Sequence, residues 1–273
     1  MLDIERSRAE GEKLTQAVGE LLGVHLTPEL ATKLFEAFMG ETSMELYRVS
    51  LVYSQEADKC RGAGAFFSAC LMTASAIEAL LALICLLAKE EVECSREFKG
   101  WKAKKNASFL DKVLGAFFQD YVGIATELDW LPSNAVDAEL FTAALQDFPL
   151  ISSNLYPKDS ITEKVERGRR FQANPGIEML RILQDMRNLI HGPRWPRLGL
   201  KVTSEFEADC KFVFVVSFQV MACLFETIIR KANGRMADVE ALKKQLSSGT
   251  QSELRDLILG MVGPSDPSFG GSA

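Results

Sequence analysis

Three residues in the C-terminal half have the types and spacing that chemistry would need. Arg187, Asn188 and His191 stand in the run Leu180-Arg181-Ile182-Leu183-Gln184-Asp185-Met186-Arg187-Asn188-Leu189-Ile190-His191-Gly192. On a helix, residues four apart lie one above the other, so Arg187 and His191 would share a face that Asn188 flanks. The expected helix opens at Asn174-Pro175, a capping side chain followed by proline at the first helical position, and closes at Gly192-Pro193. Leu180, Leu183 and Met186 or Ile190 would supply its buried stripe. His191 would then fall in the last turn, where carbonyl ends favour an imidazolium by a few tenths to ~1 kcal/mol. An imidazole that exchanges a proton near neutral pH, beside a permanent guanidinium, suits phosphodiester chemistry. The same two residues also cap terminal carbonyls with no chemistry involved, so spacing alone leaves both readings open.

The surroundings favour a polyanion. Between Lys158 and Lys201 there are ten Lys/Arg against five Asp/Glu, a local excess that brackets the histidine in a chain whose formal charge is −6. Arg181, Arg194 and Arg197 are candidate substrate contacts within it, joined by Lys104 and Lys105 from the basic stretch 95–106. Trp101 and Trp195 are available to stack on bases. Glu78 sits inside the apolar run Phe66–Ala88, where a carboxylate is costly unless paired. Arg187 is the expected partner, and Glu78 would then orient it.

Much else is absent. There is no Gly-rich phosphate loop, nucleophile elbow, H-E-x-x-H or dinucleotide fingerprint. With 2 His and no E-x-x-H pairs, a di-metal bundle is excluded, and neither a metal nor a cofactor is expected. His25 lies in a Val-His-Leu link and reads as a surface or packing residue. The six cysteines form no C-x-x-C, and four lie in apolar runs, which fits buried free thiols in a reducing, cytoplasmic setting.

The elements that must position these residues read as helices almost throughout: 2–22, 27–39, 44–61, 65–91, 110–118, 137–146, 174–191, 205–233, 237–246 and 251–261. Residues 95–106 read as a basic loop and 149–174 as an irregular excursion with one turn of helix at most. Val and Phe enrichment makes 211–220 the stretch most easily mistaken for a strand. No alternation of strands with helices occurs, so the pattern implies an all-α bundle. At 273 residues, 47% hydrophobic and 25% charged, the chain is long enough to bury a core without staples. Phe66–Ala88 and Phe212–Ile229 approach bilayer-spanning length, yet interior Glu, Ser, Thr, Cys and Gln point to two core helices packed together, with no membrane partner expected. The N-terminus has no apolar signal segment.

The run DMRNLIHG resembles the arginine–asparagine…histidine motif of the HEPN superfamily, and the helix containing Ala74-Ser75-Ala76-Ile77-Glu78-Ala79-Leu80-Leu81 is similar to that family's early core helix. The two occur in the family's order. The interval between Arg187 and His191 is shorter than the family's usual one. The resemblance implies a HEPN-like helical bundle over 61–233; the helix pattern adds an N-terminal helical extension over 1–60 and a C-terminal helical appendage over 234–262, and composition a disordered tail over 263–273. The resemblance further implies a metal-independent endoribonuclease of the toxin or antiviral-defence kind, acting on RNA as a homodimer, with a cognate antitoxin or regulator as a partner. A non-catalytic module of the same fold, binding RNA, a nucleotide or a protein, is the alternative.

Overall fold

The computed structural model describes residues 40–102, 107–131, 148, 151–190, 200 and 203–246, and every regular element among them is an α-helix. The fold is all-α, as the pattern of apolar positions requires. In chain order the helices are α1 (Glu41–Gly62), α2 (Phe66–Leu87), α3 (Lys89–Cys94), α4 (Arg96–Gly100), α5 (Phe109–Leu114), α6 (Phe118–Glu127), α7 (Ile161–Ala173), α8 (Pro175–Asn188) and α9 (Ser204–Leu246). The chain divides into two compact units, Glu45–Gly234 and Met1–Met44 with Arg235–Ala273, and α2 to α8 lie within the first. The helices read over 2–22, 27–39, 137–146 and 251–261, and the tail, lie outside the described residues.

Local chemistry explains most boundaries. Gly64 (φ +75°) takes the left-handed conformation that closes α1, and its N–H donates to the Arg61 carbonyl at 3.0 Å. The apolar run expected to reach 91 breaks at Ala88, whose backbone leaves helical geometry (φ −102°, ψ 33°) before α3 begins. The expected loop at 95–106 contains α4, because the Ser95 hydroxyl accepts the Phe98 N–H at 3.1 Å and starts a turn. Residues 118–127, which the apolar pattern leaves unassigned beyond Phe118, form α6; the Asp120 carboxylate accepts the Phe117 N–H at 2.8 Å. The largest correction is α7. In place of an irregular excursion, Ser160 and Glu163 make a reciprocal capping box, and thirteen helical residues come after it. Residues 151–155 are helical as well. Residues 211–220 lie inside α9, which runs on to Leu246 without the break expected near Asn233. An interior glycine such as Gly234 costs a helix ~1 kcal/mol without ending it.

α8 is the central helix. It packs on α2, α6 and α7, and Met179, Leu180, Ile182, Leu183 and Met186 are buried along it. α2 contributes Ile77, Leu80, Leu81, Leu83 and Ile84 to the same core, each worth about 1.5–3 kcal/mol in removed apolar surface. Phe148 stacks on Phe171 of α7 with ring centroids 3.8 Å apart. α2 meets α9 through Phe67 against Phe206 (5.7 Å between centroids) and through the Cys70 thiol, which donates to the Cys210 carbonyl at 3.2 Å. α1 lies along α9, with Tyr47 edge-on to Phe225 and the Ser54 hydroxyl donating to Met221 Sδ at 3.3 Å. By length and composition alone, α2 and residues 204–232 of α9 could each cross a bilayer; 72% of the apolar window of α2 is buried inside the protein.

Candidate functional site

The end of α8 departs from the expected geometry. The helix stops at Asn188 rather than continuing to Gly192. Leu189 caps it, donating to the Met186 carbonyl at 2.9 Å, and the Ile190 N–H donates to the Arg187 carbonyl at 3.4 Å. These three-residue closures tighten the last turn, so the four-residue cofacial argument does not carry from Arg187 to His191. Of the alternatives for the buried stripe, Met186 is buried with Leu180 and Leu183, whereas Ile190 is 58% exposed. His191, Arg194, Trp195, Arg197, Lys104 and Lys105 lie outside the described residues.

Arg187 and Glu78 are joined. The Arg187 Nη1 donates to Glu78 Oε1 at 2.6 Å, linking the last turn of α8 to the middle of α2. The pair is half-open: the side chains are 39% and 23% exposed. A charge-assisted contact this short fixes the guanidinium while leaving part of it accessible. Behind it, burial raises the Tyr121 phenol above its ordinary range, with Cys85 and then Glu78 adding to the shift. The Tyr121 hydroxyl donates to the Val113 carbonyl. Asn188 is half-buried beside the arginine.

Other sequence-based expectations move. Trp101 is half-buried, packed against Phe98 (5.1 Å) and edge-on to Tyr121 (5.7 Å) with its indole nitrogen buried, so part of its ring is already engaged within the protein. Lys99 caps the end of α3, donating to the Cys94 carbonyl at 2.8 Å. Arg181 is six residues from Arg187, about 120° around α8 and 9 Å along it. It turns away from that residue to a second polar centre.

That centre is built on Glu178, which is fully buried. Arg170 Nε and Arg181 Nη1 donate to its Oε2 at 3.0 and 3.1 Å, and Arg167 Nη1 and Arg170 Nη2 to its Oε1 at 3.4 and 3.3 Å. Arg167 also binds Asp159 (Nη2 to Oδ2, 2.9 Å) and lies 3.4 Å over the Tyr156 ring. The Tyr156 hydroxyl donates to Asp185 at 2.7 Å. Desolvation raises the Asp185 carboxyl from its ordinary value although the residue reaches the rim; the Tyr156 hydroxyl and Arg167 oppose the shift. Much of the basic excess read from the sequence is therefore engaged with internal carboxylates. The signal for this centre was present in the sequence: Glu178 is flanked by Ile177, Met179 and Leu180, and an acid so placed needs a cation.

No family model, characterised protein or solved structure matches the chain. Among the described residues, no cluster of His, Cys, Asp and Glu could hold a metal ion.

Proposed function

We propose that this all-α chain is a HEPN-like, metal-independent endoribonuclease of the toxin or phage-defence type, cytoplasmic and dimeric. The observation that carries the reading is the Arg187–Glu78 pair, which fixes a half-open guanidinium at the end of the central helix, next to Asn188 and four residues before His191 in the sequence. In this mechanism the ribose 2′-oxygen attacks phosphorus, forming a cyclic phosphate as the bond to the 5′-oxygen breaks. His191 assists proton transfer at the 2′-hydroxyl or the leaving oxygen, Arg187 holds the phosphate charge, and Asn188 positions one or the other. A second copy would bring a second motif to the site.

The test is cleavage of RNA by the purified chain in EDTA. His191→Ala and Arg187→Ala are each expected to lower the rate by ~10²–10⁴ while the protein stays folded. Arg187→Lys is expected to fail too, because an ammonium lacks the planar fork. A DNA strand of the same sequence should survive. Metal dependence would refute the mechanism.

A second reading, a non-catalytic module binding RNA, a nucleotide or a protein, is favoured by the end of α8 at Asn188, which removes the regular-helix basis for an Arg187–His191 pair. RNA binding by a folded chain that cuts nothing would select it.

A further inference from the structure

An open cleft of about 670 Å³ lies on the side of α8 that carries Arg181 and Asp185, and it is independent of the role given to Arg187. Its walls come from α6, α7, α8 and the start of α4. Four arginines line it: Arg96, Arg167, Arg170 and Arg181. One is committed elsewhere: Arg167 is engaged with Asp159, Glu178 and the Tyr156 ring. The Arg96 side chain projects into solvent, 3.7 Å from Glu127, whose carboxylate accepts the Arg96 and Glu97 N–H groups at the start of α4.

Arg170 and Arg181 are different. Both donate to the same oxygen of Glu178, which holds the donor nitrogens no more than about 6 Å apart, close enough for like charges to repel. Their side chains are 37% and 40% exposed. Arg170 Nη1 and Arg181 Nε and Nη2 have no acceptor among the described residues. The buried carboxylate thus pre-positions two guanidiniums side by side at a cleft wall, leaving N–H groups that several oxygens of one anion could share. Asp185, at the rim, accepts from the Tyr156 hydroxyl, so one of its oxygens is already engaged within the protein.

Unlike Glu127, which pairs with Arg96, and Asp185, which accepts from Tyr156, the Glu97 carboxylate of the lining has no ion pair and no hydrogen bond among the described residues. Glu97 reaches across to Gly123 of α6; a Cβ there would come within 2.9 Å of Glu97 Oε2, so the glycine leaves room for that group at the cleft surface. Arginines at one place and a carboxylate at another suit a ligand with an anionic end and hydrogen-bond donors elsewhere. We propose that this cleft binds a small phosphomonoester on a hydroxyl-bearing carrier, its phosphate held by Arg170 and Arg181 and its hydroxyls by Glu97. The cleft volume is in the range of small-ligand sites.

The experiment is calorimetric titration of the full chain with ribose 5-phosphate, ribose and inorganic phosphate. Ribose 5-phosphate is expected to bind saturably, inorganic phosphate at least tenfold more weakly, and ribose not measurably. Arg181→Gln, which leaves two arginines on Glu178, should weaken ribose 5-phosphate at least tenfold. Gly123→Leu fills the cleft without removing an arginine and should abolish binding; it decides the matter if Arg181→Gln fails to fold. No binding at millimolar ligand, ribose binding as well as its phosphate, or binding unchanged in folded Gly123→Leu would each overturn the proposal. Tighter binding of a 5′-phosphorylated oligoribonucleotide than of ribose 5-phosphate would overturn it as well, by moving the phosphate to a nucleic-acid end.

Discussion

Two glutamates are set among apolar neighbours in this protein, and the partners each acquires differ in number and exposure. Glu78 has one half-open arginine; Glu178, fully buried, has three. Removing the charge from Glu178 would leave Arg167, Arg170 and Arg181 crowded around a buried neutral amide at the cleft wall. Glu178→Gln is therefore expected to cost about 3–5 kcal/mol in urea-unfolding free energy. Glu78→Gln should cost only about 0.5–1 kcal/mol, because water screens the exposed side of its pair. Under the proposed function, its larger effect should fall on RNA cleavage, through an arginine no longer held. The Glu78–Arg187 contact is legible from sequence, since one apolar-flanked acid and one motif arginine ask for each other. The Glu178 centre is legible only in part: the apolar-flanked acid asks for a cation, but two of its three arginines come from α7, whose sequence reads as irregular.

At the level of the element, the caps decide which segments become helices. α8 is legible from Asn174-Pro175, and the Asn174 side chain performs two tasks: Oδ1 accepts the Ile177 N–H at 2.9 Å, and Nδ2 donates to the Leu131 carbonyl at 2.6 Å. Asn174→Ala should cost about 0.5–2 kcal/mol, measurable by chemical denaturation. α7 is hard to see although Ser160-x-x-Glu163 is a capping box, because the Pro157-Lys158-Asp159 turn and a dense run of charge mask its single buried aromatic, Phe171. The end of α8 is misplaced for a related reason: Gly192-Pro193 is a strong stop, but the chain tightens three residues earlier. Acid should expose the caps. Backbone N–H groups of Arg96 and Glu97 hold the Glu127 carboxyl below its ordinary range. A lowered folded value means the stabilisation is complete above the ordinary carboxylate range and disappears as pH falls through the lowered one. The thermal midpoint should fall over that window, and Glu127→Gln should flatten the fall.

Across the whole molecule, burial sorts the thiols. Cys70, Cys85 and Cys210 are buried, and desolvation raises all three well above the ordinary thiol range; Cys94 is exposed. In native protein an aromatic disulfide reagent should react promptly at Cys94 and reach Cys70, Cys85 and Cys210 only as urea unfolds the chain. Early reaction at Cys70 or Cys210 would mean that the contact between α2 and α9 opens in the native state.

The pair that joins α2 to α8 spans 109 positions of the chain. At ordinary rates of protein synthesis, α2 waits about 5–20 s after it is made before α8 exists to cover it. Throughout that interval Glu78 has no guanidinium, and the most apolar helix of the unit faces solvent or a chaperone. A truncated product ending before α8 would keep that surface bare. Such nascent chains should be strong clients of holdase chaperones, and the joined Glu78–Arg187 pair could not form until most of the chain has been made.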